Sequence, residues 1–224
     1  MRNNGWLNIS ISTALSWLMK FIMIGMLPYV IYKGSYLFGF ATAIAIILSL
    51  LPSIVERNYR ITLPFELDLL ITLMIFLNTF FGDLLKFYDR LWVWDKILHI
   101  YGTAVISMLA FMIVYTLHYT KKLRLTLPFV GLFTIIFAMA VGGFWEIGEF
   151  AVDKIFAKDT QNGLDNTMWD LINDLIGGTF VAGMGIVYIK YSKPHERKRF
   201  TKPLGEVFGI KRRIDRIKIH LAHK

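Results

Sequence analysis

GSYLFGFATAIAIILSLLPSIV, from Gly34 to Val55, runs for 22 residues without a charged side chain, and LTLPFVGLFTIIFAMAVGGFW, from Leu125 to Trp145, does so for 21. As a helix rising 1.5 Å per residue, either stretch crosses the roughly 30 Å hydrocarbon core of a bilayer. The composition of the 224-residue chain agrees. It is 55% hydrophobic and only 18% charged, where a soluble domain carries about 25% charged residues. Mean hydropathy is +0.52. The fold class that follows is all-α: a polytopic membrane protein, with about six transmembrane helices in one bundle and a basic amphipathic C-terminal tail helix. The chain has no cysteine. That excludes disulfides, thiolate nucleophiles and Cys-ligated zinc or iron–sulfur centres. No internal repeat, Gly-rich phosphate loop or Ser/His/Asp nucleophile signature is present.

Working outward from these runs, six spans are expected. They run from about Ile9 to Tyr32, Tyr36 to Val55, near Pro64 to Gly82-Asp83, Asp95 to about Tyr119, Leu125 to about Val152, and Met168 to Lys190. Leu84 to Trp94 is an aromatic connection suited to an interface. The first segment, interrupted by Lys20, has two readings. Either Lys20 lies inside the bundle, or residues 6 to 18 lie along the interface and the span starts near Lys20; Trp6 and Trp17 suit the second as interfacial anchors. The N-terminus lacks a convincing cleavage site and reads as an uncleaved first segment. Residues 1–190 form the membrane domain and 191–224 a basic cytoplasmic tail.

Net charge is +9, and the tail from Tyr191 carries 11 Lys/Arg against 3 Asp/Glu. Six spans put both termini on one side, together with Arg57, Arg60, Lys121, Lys122 and Arg124. By the positive-inside rule that side is cytoplasmic, in a multi-pass protein of the cell membrane. In the tail Ile210, Ile214, Ile217 and Leu221 form an apolar stripe on a basic helix, suited to anionic lipid head groups. The alternative is a solvated charge run that enforces topology. The partners expected are membrane lipids and not nucleic acid, since no base-stacking motif accompanies the charge.

The ionisable residues within the spans fall at one depth. Counted from the basic end, Glu146 is 21 residues from Leu125, about 31 Å along a helix; His99 is 22 from Lys121, about 33 Å; Asp170 is 20 from Lys190, about 30 Å. Spacing adds to this. Asp95 and His99, and Asp170 and Asp174, are i, i+4 pairs on single helix faces, and Glu146 and Glu149 are i, i+3. The uncharged run from Leu175 to Ile189 is too short to span alone, so Asp174 is drawn into the bilayer edge and must face protein or water. Carboxylates this close cannot all remain ionised in low dielectric without a cation or shared protons. Carboxylates with one imidazole suit Zn²⁺, Mn²⁺ or Mg²⁺ better than copper. The candidate metal ligands are Asp95, His99, Glu149, Asp170 and Asp174, with Asp95 also placed to orient His99 and Asn173 to assist. The candidate acid/base groups are Glu146, Glu149 and Asp170. The plainer reading of His99 is a satisfied core or interfacial histidine, and of Asp170 a dipole-favourable residue near the start of its span. Gly142-Gly143 and Gly177-Gly178 are positions of close helix approach.

Gly82 then Tyr88, Trp94-Asp95-Lys-Ile-Leu-His99, Trp145-Glu146-Ile-Gly-Glu149, and Trp169-Asp170 followed by Asn173-Asp174-Leu-Ile-Gly-Gly resemble the YjdF-like inner-membrane proteins. These are more distantly similar to the VanZ-like family, some of whose members are linked to glycopeptide resistance. The resemblance covers roughly residues 60 to 185 and implies a small multi-pass membrane protein without a settled activity. The residues themselves point to an outward-facing acidic/His site that binds a divalent cation and a lipid or lipid-linked phosphate head group, as a hydrolase or transferase. The alternatives are a proton- or cation-coupled transporter and a non-catalytic membrane interaction protein.

Overall fold

The computed structural model describes residues 10–208. The described chain is helical throughout, with no strand: α1 (Ile11–Tyr32), α2 (Tyr36–Tyr59), α3 (Leu67–Phe76), α4 (Phe87–Arg90), α5 (Trp94–Tyr119), α6 (Leu127–Phe156), α7 (Leu164–Tyr191) and α8 (Pro194–Val207). A 3-10 turn, Pro64–Glu66, leads into α3, which runs on as a π-helical stretch, Leu77–Leu84. Six of these helices are long and apolar enough to cross a membrane: α1, α2, Leu67–Leu84, α5, α6 and α7. They match the six expected spans to within about a turn. The largest differences, four residues each, are at α2, which continues to Tyr59, at α6, which continues to Phe156, and at α7, which begins at Leu164. Each extension carries charged side chains, so a hydropathy reading stops short of all three.

Short connections make consecutive spans antiparallel. One end of the bundle therefore gathers Arg57, Arg60, Lys121, Lys122, Arg124 and Lys190, and the other Asp83, Asp95, Glu149 and Asp165; they are called here the basic and the acidic end. The spans pack as two three-helix units. Met19, Met23, Met26 and Val30 of α1 pack with Ile46, Ile75 and Phe76 to make the core of α1–α3. Phe111, Met112 and Tyr115 of α5 pack with Val130 and Ile189 in the core of α5–α7. The units meet where α3 lies beside α5.

The first part of the tail belongs to this second core. Phe200 and Leu204 of α8 are buried against Leu63, Leu67 and Tyr115, with the Phe200 and Tyr115 rings 5.9 Å apart. Pro194 opens α8, and the Glu196 carboxylate accepts from the Lys193 backbone N–H at 2.7 Å. The stripe formed by Ile210, Ile214, Ile217 and Leu221 lies outside the described residues, as does Trp6.

Lys20 lies inside the bundle, on a helix unbroken from Ile11, with no solvent-accessible surface. The interfacial reading of residues up to 18 does not hold for the described part, because Ser16 is equally buried. Local sequence could not reveal the reason, which is a carboxylate from α3. Lys20 Nζ donates to Asp68 Oδ1 at 2.9 Å and to Ser53 Oγ at 2.7 Å. Ser16 Oγ and Ser53 Oγ in turn donate to the two oxygens of Asp68. One satisfied network thus ties α1, α2 and α3 together at the basic half. Removing one member of a buried pair strands the other, which costs about 3–5 kcal/mol, whereas replacing both with apolar residues costs far less. Lys20→Met is accordingly expected to lower stability by about that amount and Lys20→Met/Asp68→Leu to recover most of it, read from denaturation midpoints in mixed micelles.

Candidate functional site

Three helices build the second polar cluster, at the acidic end of α5–α7. On α5, Asp95, His99 and Thr103 follow at four-residue intervals and share one face. On α7, Asn166, Asp170 and Asp174 do the same. Glu146 enters from α6. The start of α5 is held by aromatic packing, with the Phe87 and Trp94 rings 5.0 Å apart and edge to face. Ahead of it Tyr88 lies so close over Gly82 that any Cβ there would overlap its ring. The Tyr88 hydroxyl donates to Asn78 Oδ1. Burial, and then the neighbouring carboxylates of Asp95 and Asp83, raise the Tyr88 hydroxyl above its ordinary range, so it keeps its proton and remains a donor.

His99 is the centre of the cluster. Its Nδ1 is 3.1 Å from Asp174 Oδ1, which also accepts from Thr103 Oγ1. Its Nε2 is 3.7 Å from Asp95 Oδ1 and 3.6 Å from Glu146 Oε1. Ligating atoms of Asp95, His99 and Asp170 all lie within 4.8 Å of one another. Asn166 Nδ2 bridges Asp95 and Asp170, donating to an oxygen of each. The sequence suggested Asp95 as the carboxylate that orients the ring; the close contact comes from Asp174 instead. Side chains on a helix lean toward its N-terminus. The far nitrogen of His99 therefore reaches back toward Asp95, and the near one is left to α7.

The cluster is deeply buried and electrostatically unbalanced. Asp170 is 0%, Asp174 1%, Glu146 4% and His99 9% exposed. Among the described residues none of these carboxylates pairs with a lysine or arginine; His99 is the ion-pair partner of Asp95, Glu146 and Asp174. Lys96, next to Asp95 in sequence, sits over the Trp92 ring. Asp170 Oδ1 and Asp174 Oδ2 are buried without a hydrogen-bond partner, as is Asn173 Nδ2; both Glu146 oxygens also lack a well-formed hydrogen bond, the neighbouring donor being the Thr167 hydroxyl. Buried polar atoms are almost always bonded, to protein, water or an ion, so several orphans gathered at one spot set this cluster apart.

Of the residues expected at this site, the structure brings together Asp95, His99, Glu146, Asp170 and Asp174. Glu149 stands at the rim, where Trp145 Nε1 donates to its Oε1 at 3.0 Å. Asn173 is buried beside Asp174. Asp83 lines the adjoining cavity. Thr103 and Asn166 were missed, although each falls four residues from a chosen residue on the same face. Asp153 was also missed; it accepts from the backbone N–H groups of Thr160 and Gln161 and from the Thr160 hydroxyl, folding the α6–α7 loop back.

Glycines let the helices close around this group. A Cβ on Gly177 would stand 2.8 Å from the Ile100 carbonyl oxygen, and one on Gly178 3.1 Å from Ala138 Cβ. A Cβ on Gly142 would coincide with the Asp174 carboxylate, while Gly143 faces open space.

A family described as "Predicted membrane protein (DUF2238)" matches residues 14–191. That range takes in the six spans, apart from the first three residues of α1, and every member of the cluster, and leaves out α8. It is the family that the YjdF-like resemblance pointed to. An uncharacterised protein of Thermotoga maritima is 39% identical over 142 residues, covering 62% of this chain and 70% of that one. No solved structure matches.

The Gly142 contact yields a direct check. Gly142→Ala is expected to cost about 1–3 kcal/mol by forcing the Asp174 carboxylate off His99 and Thr103. Gly143→Ala should leave stability unchanged. The cost of Gly142→Ala should shrink in an Asp174→Ala background, where the space is free, giving a measurable coupling in a double-mutant cycle of unfolding midpoints.

Proposed function

The chain belongs to this DUF2238 family of membrane proteins, and we propose that its acidic pocket is a divalent-cation centre that engages the phosphate head group of a lipid or lipid-linked substrate. The observation that carries this reading is the spacing around His99 Nε2. Carboxylate oxygens at 3.6 and 3.7 Å are too far for hydrogen bonds. Two donors 2.0–2.1 Å from a tetrahedral ion stand about 3.4 Å apart. Ligating atoms of Asp95, His99 and Asp170 lie within 4.8 Å of one another, close enough to share one ion, and Glu146 Oε1 stands beside His99 Nε2. The unpartnered Asp170 Oδ1 supports the same reading.

In this arrangement Asp174 holds Nδ1 and so leaves the lone pair of Nε2 free for the ion, the usual arrangement behind a metal-bound histidine. One imidazole among carboxylates suits Zn²⁺ or Mn²⁺, and Mg²⁺ if water completes the shell. The cation turns an acidic pocket into an acceptor for anionic oxygen. Glu149 at the rim and Glu146 at the centre are the groups placed to move a proton during hydrolysis or transfer at phosphorus. With the basic end cytoplasmic, the pocket opens on the extracytoplasmic side of the cell membrane.

Elemental analysis of the purified full-length protein tests the centre. The wild type should carry about one divalent ion per chain. His99→Ala and Asp170→Asn should reduce this at least tenfold, and Glu149→Ala, which touches the indole of Trp145 instead, should retain it. A metal-free wild type, or an occupancy indifferent to His99→Ala, would sink the reading.

A further inference from the structure

Between the two three-helix units lies a groove of about 760 Å³, within the roughly 300–1,000 Å³ over which pockets take a single ligand. Its walls change character along its length. At the acidic end it is lined by Asn78, Asp83, Tyr88, Asp95, His99 and Asp174. Farther in, Ile44, Leu48 and Leu51 of α2 line it together with Ile106, Leu109 and Ile113 of α5. Thr42, the hydroxyl that α2 adds to this lining, returns its proton to the Phe38 carbonyl at 2.8 Å and offers no donor to an occupant. Leu204, Val207 and Phe208 line the basic end, at α8. Along α5 the lining runs from Asp95 to Ile113, about 27 Å of helix, most of the hydrocarbon thickness.

An occupant complementary to such walls has one polar end and a long apolar remainder. The polar end meets a cluster of acids, so an anionic head reaches it only through a cation. We propose that the groove holds the hydrocarbon chain of a phosphate-headed lipid, its phosphate at the cation centre beside His99 and its chain passing Leu48 and Ile106 toward α8. This rests on the cation reading above and narrows it to a substrate class. Ordinary annular lipid keeps its head at the interface and meets the outer helix faces equally. A bound lipid is distinguished by needing both the His99 end and the groove.

Hexadecyl phosphate with a diazirine at the chain end, added to the zinc-loaded full-length protein in phosphatidylcholine nanodiscs, tests this by photolabelling and peptide mapping. Label is expected on α2, on the second half of α5 and on α8, at least tenfold above label around Ile136, which is 58% exposed on α6. Hexadecanol with the same diazirine should show no such preference. Leu48→Trp, at a side chain 48% exposed and so outside the packed core, should cut groove labelling at least tenfold without changing metal content; Ile44→Trp serves as a second plug. Labelling indifferent to the phosphate, or unmoved by both plugs, overturns the proposal. Metal content of the same samples separates the two failures. A full complement of zinc with phosphate-indifferent labelling removes the lipid and leaves the cation, whereas a protein that takes up no zinc removes the centre and the lipid with it.

Discussion

The cost of buried charge governs this structure. Within a low-dielectric bundle a carboxylate must find a donor, a cation or a proton. The two polar clusters answer that demand in opposite ways. At the basic half Lys20 and Asp68 neutralise one another, and Ser16 and Ser53 complete the carboxylate's hydrogen bonds. At the acidic end Asp95, Glu146, Asp170 and Asp174 converge on a single imidazole. The first cluster is complete in itself and acts as a three-helix tie. The second has more acceptors than donors, and this imbalance sets it apart from the first.

The backbone serves the same end. Helices whose side chains meet around one histidine must come close together, and at Gly177, Gly178 and Gly142 a methyl group would collide with a neighbouring chain or carboxylate. Lipid offers no hydrophobic drive for helix association, so close packing of small residues carries much of it. The glycines therefore both pack α5, α6 and α7 and place Asp174 against His99. The π-helical stretch ahead of α4 contributes in a different way. It brings Asn78 and Asp83, with Tyr88 laid over Gly82, into the wall of the groove next to the cluster.

Much of this was legible in the sequence because it depends on length and period. The spans follow from uncharged runs, and the common depth of His99, Glu146 and Asp170 follows from 1.5 Å per residue counted from a charged end. The i, i+4 pairs fix which residues share a face. What escaped depends on contacts between segments far apart in the chain. Lys20 appears misplaced until α3 supplies Asp68. Thr103 and Asn166 look like ordinary helix residues until α5 and α7 lie side by side. Asp95 is the obvious partner of His99 by spacing, yet the lean of helical side chains assigns Nδ1 to Asp174. The tail reads as polar from its charge, and only the packed Phe200 and Leu204 show that its first helix closes the base of the bundle.

The position of α8 bears on how the two halves work together. The groove separates α1–α3 from α5–α7 along most of its length, and the units touch chiefly through α3 and α5. Such a cleft would let the halves rock apart if nothing spanned its base. Leu63 and Leu67, at the entry to α3, share one buried cluster with Phe111 and Tyr115 of α5 and with Phe200 and Leu204 of α8. The basic end is thus closed by this cluster, and at the acidic end the units are joined by rings, Phe81 against Phe87 and Trp94, while α2 faces α5 across the groove. Between the two ends the groove walls are apolar, so the charges at His99 lie in surroundings of low dielectric, where each acts more strongly than it would in water.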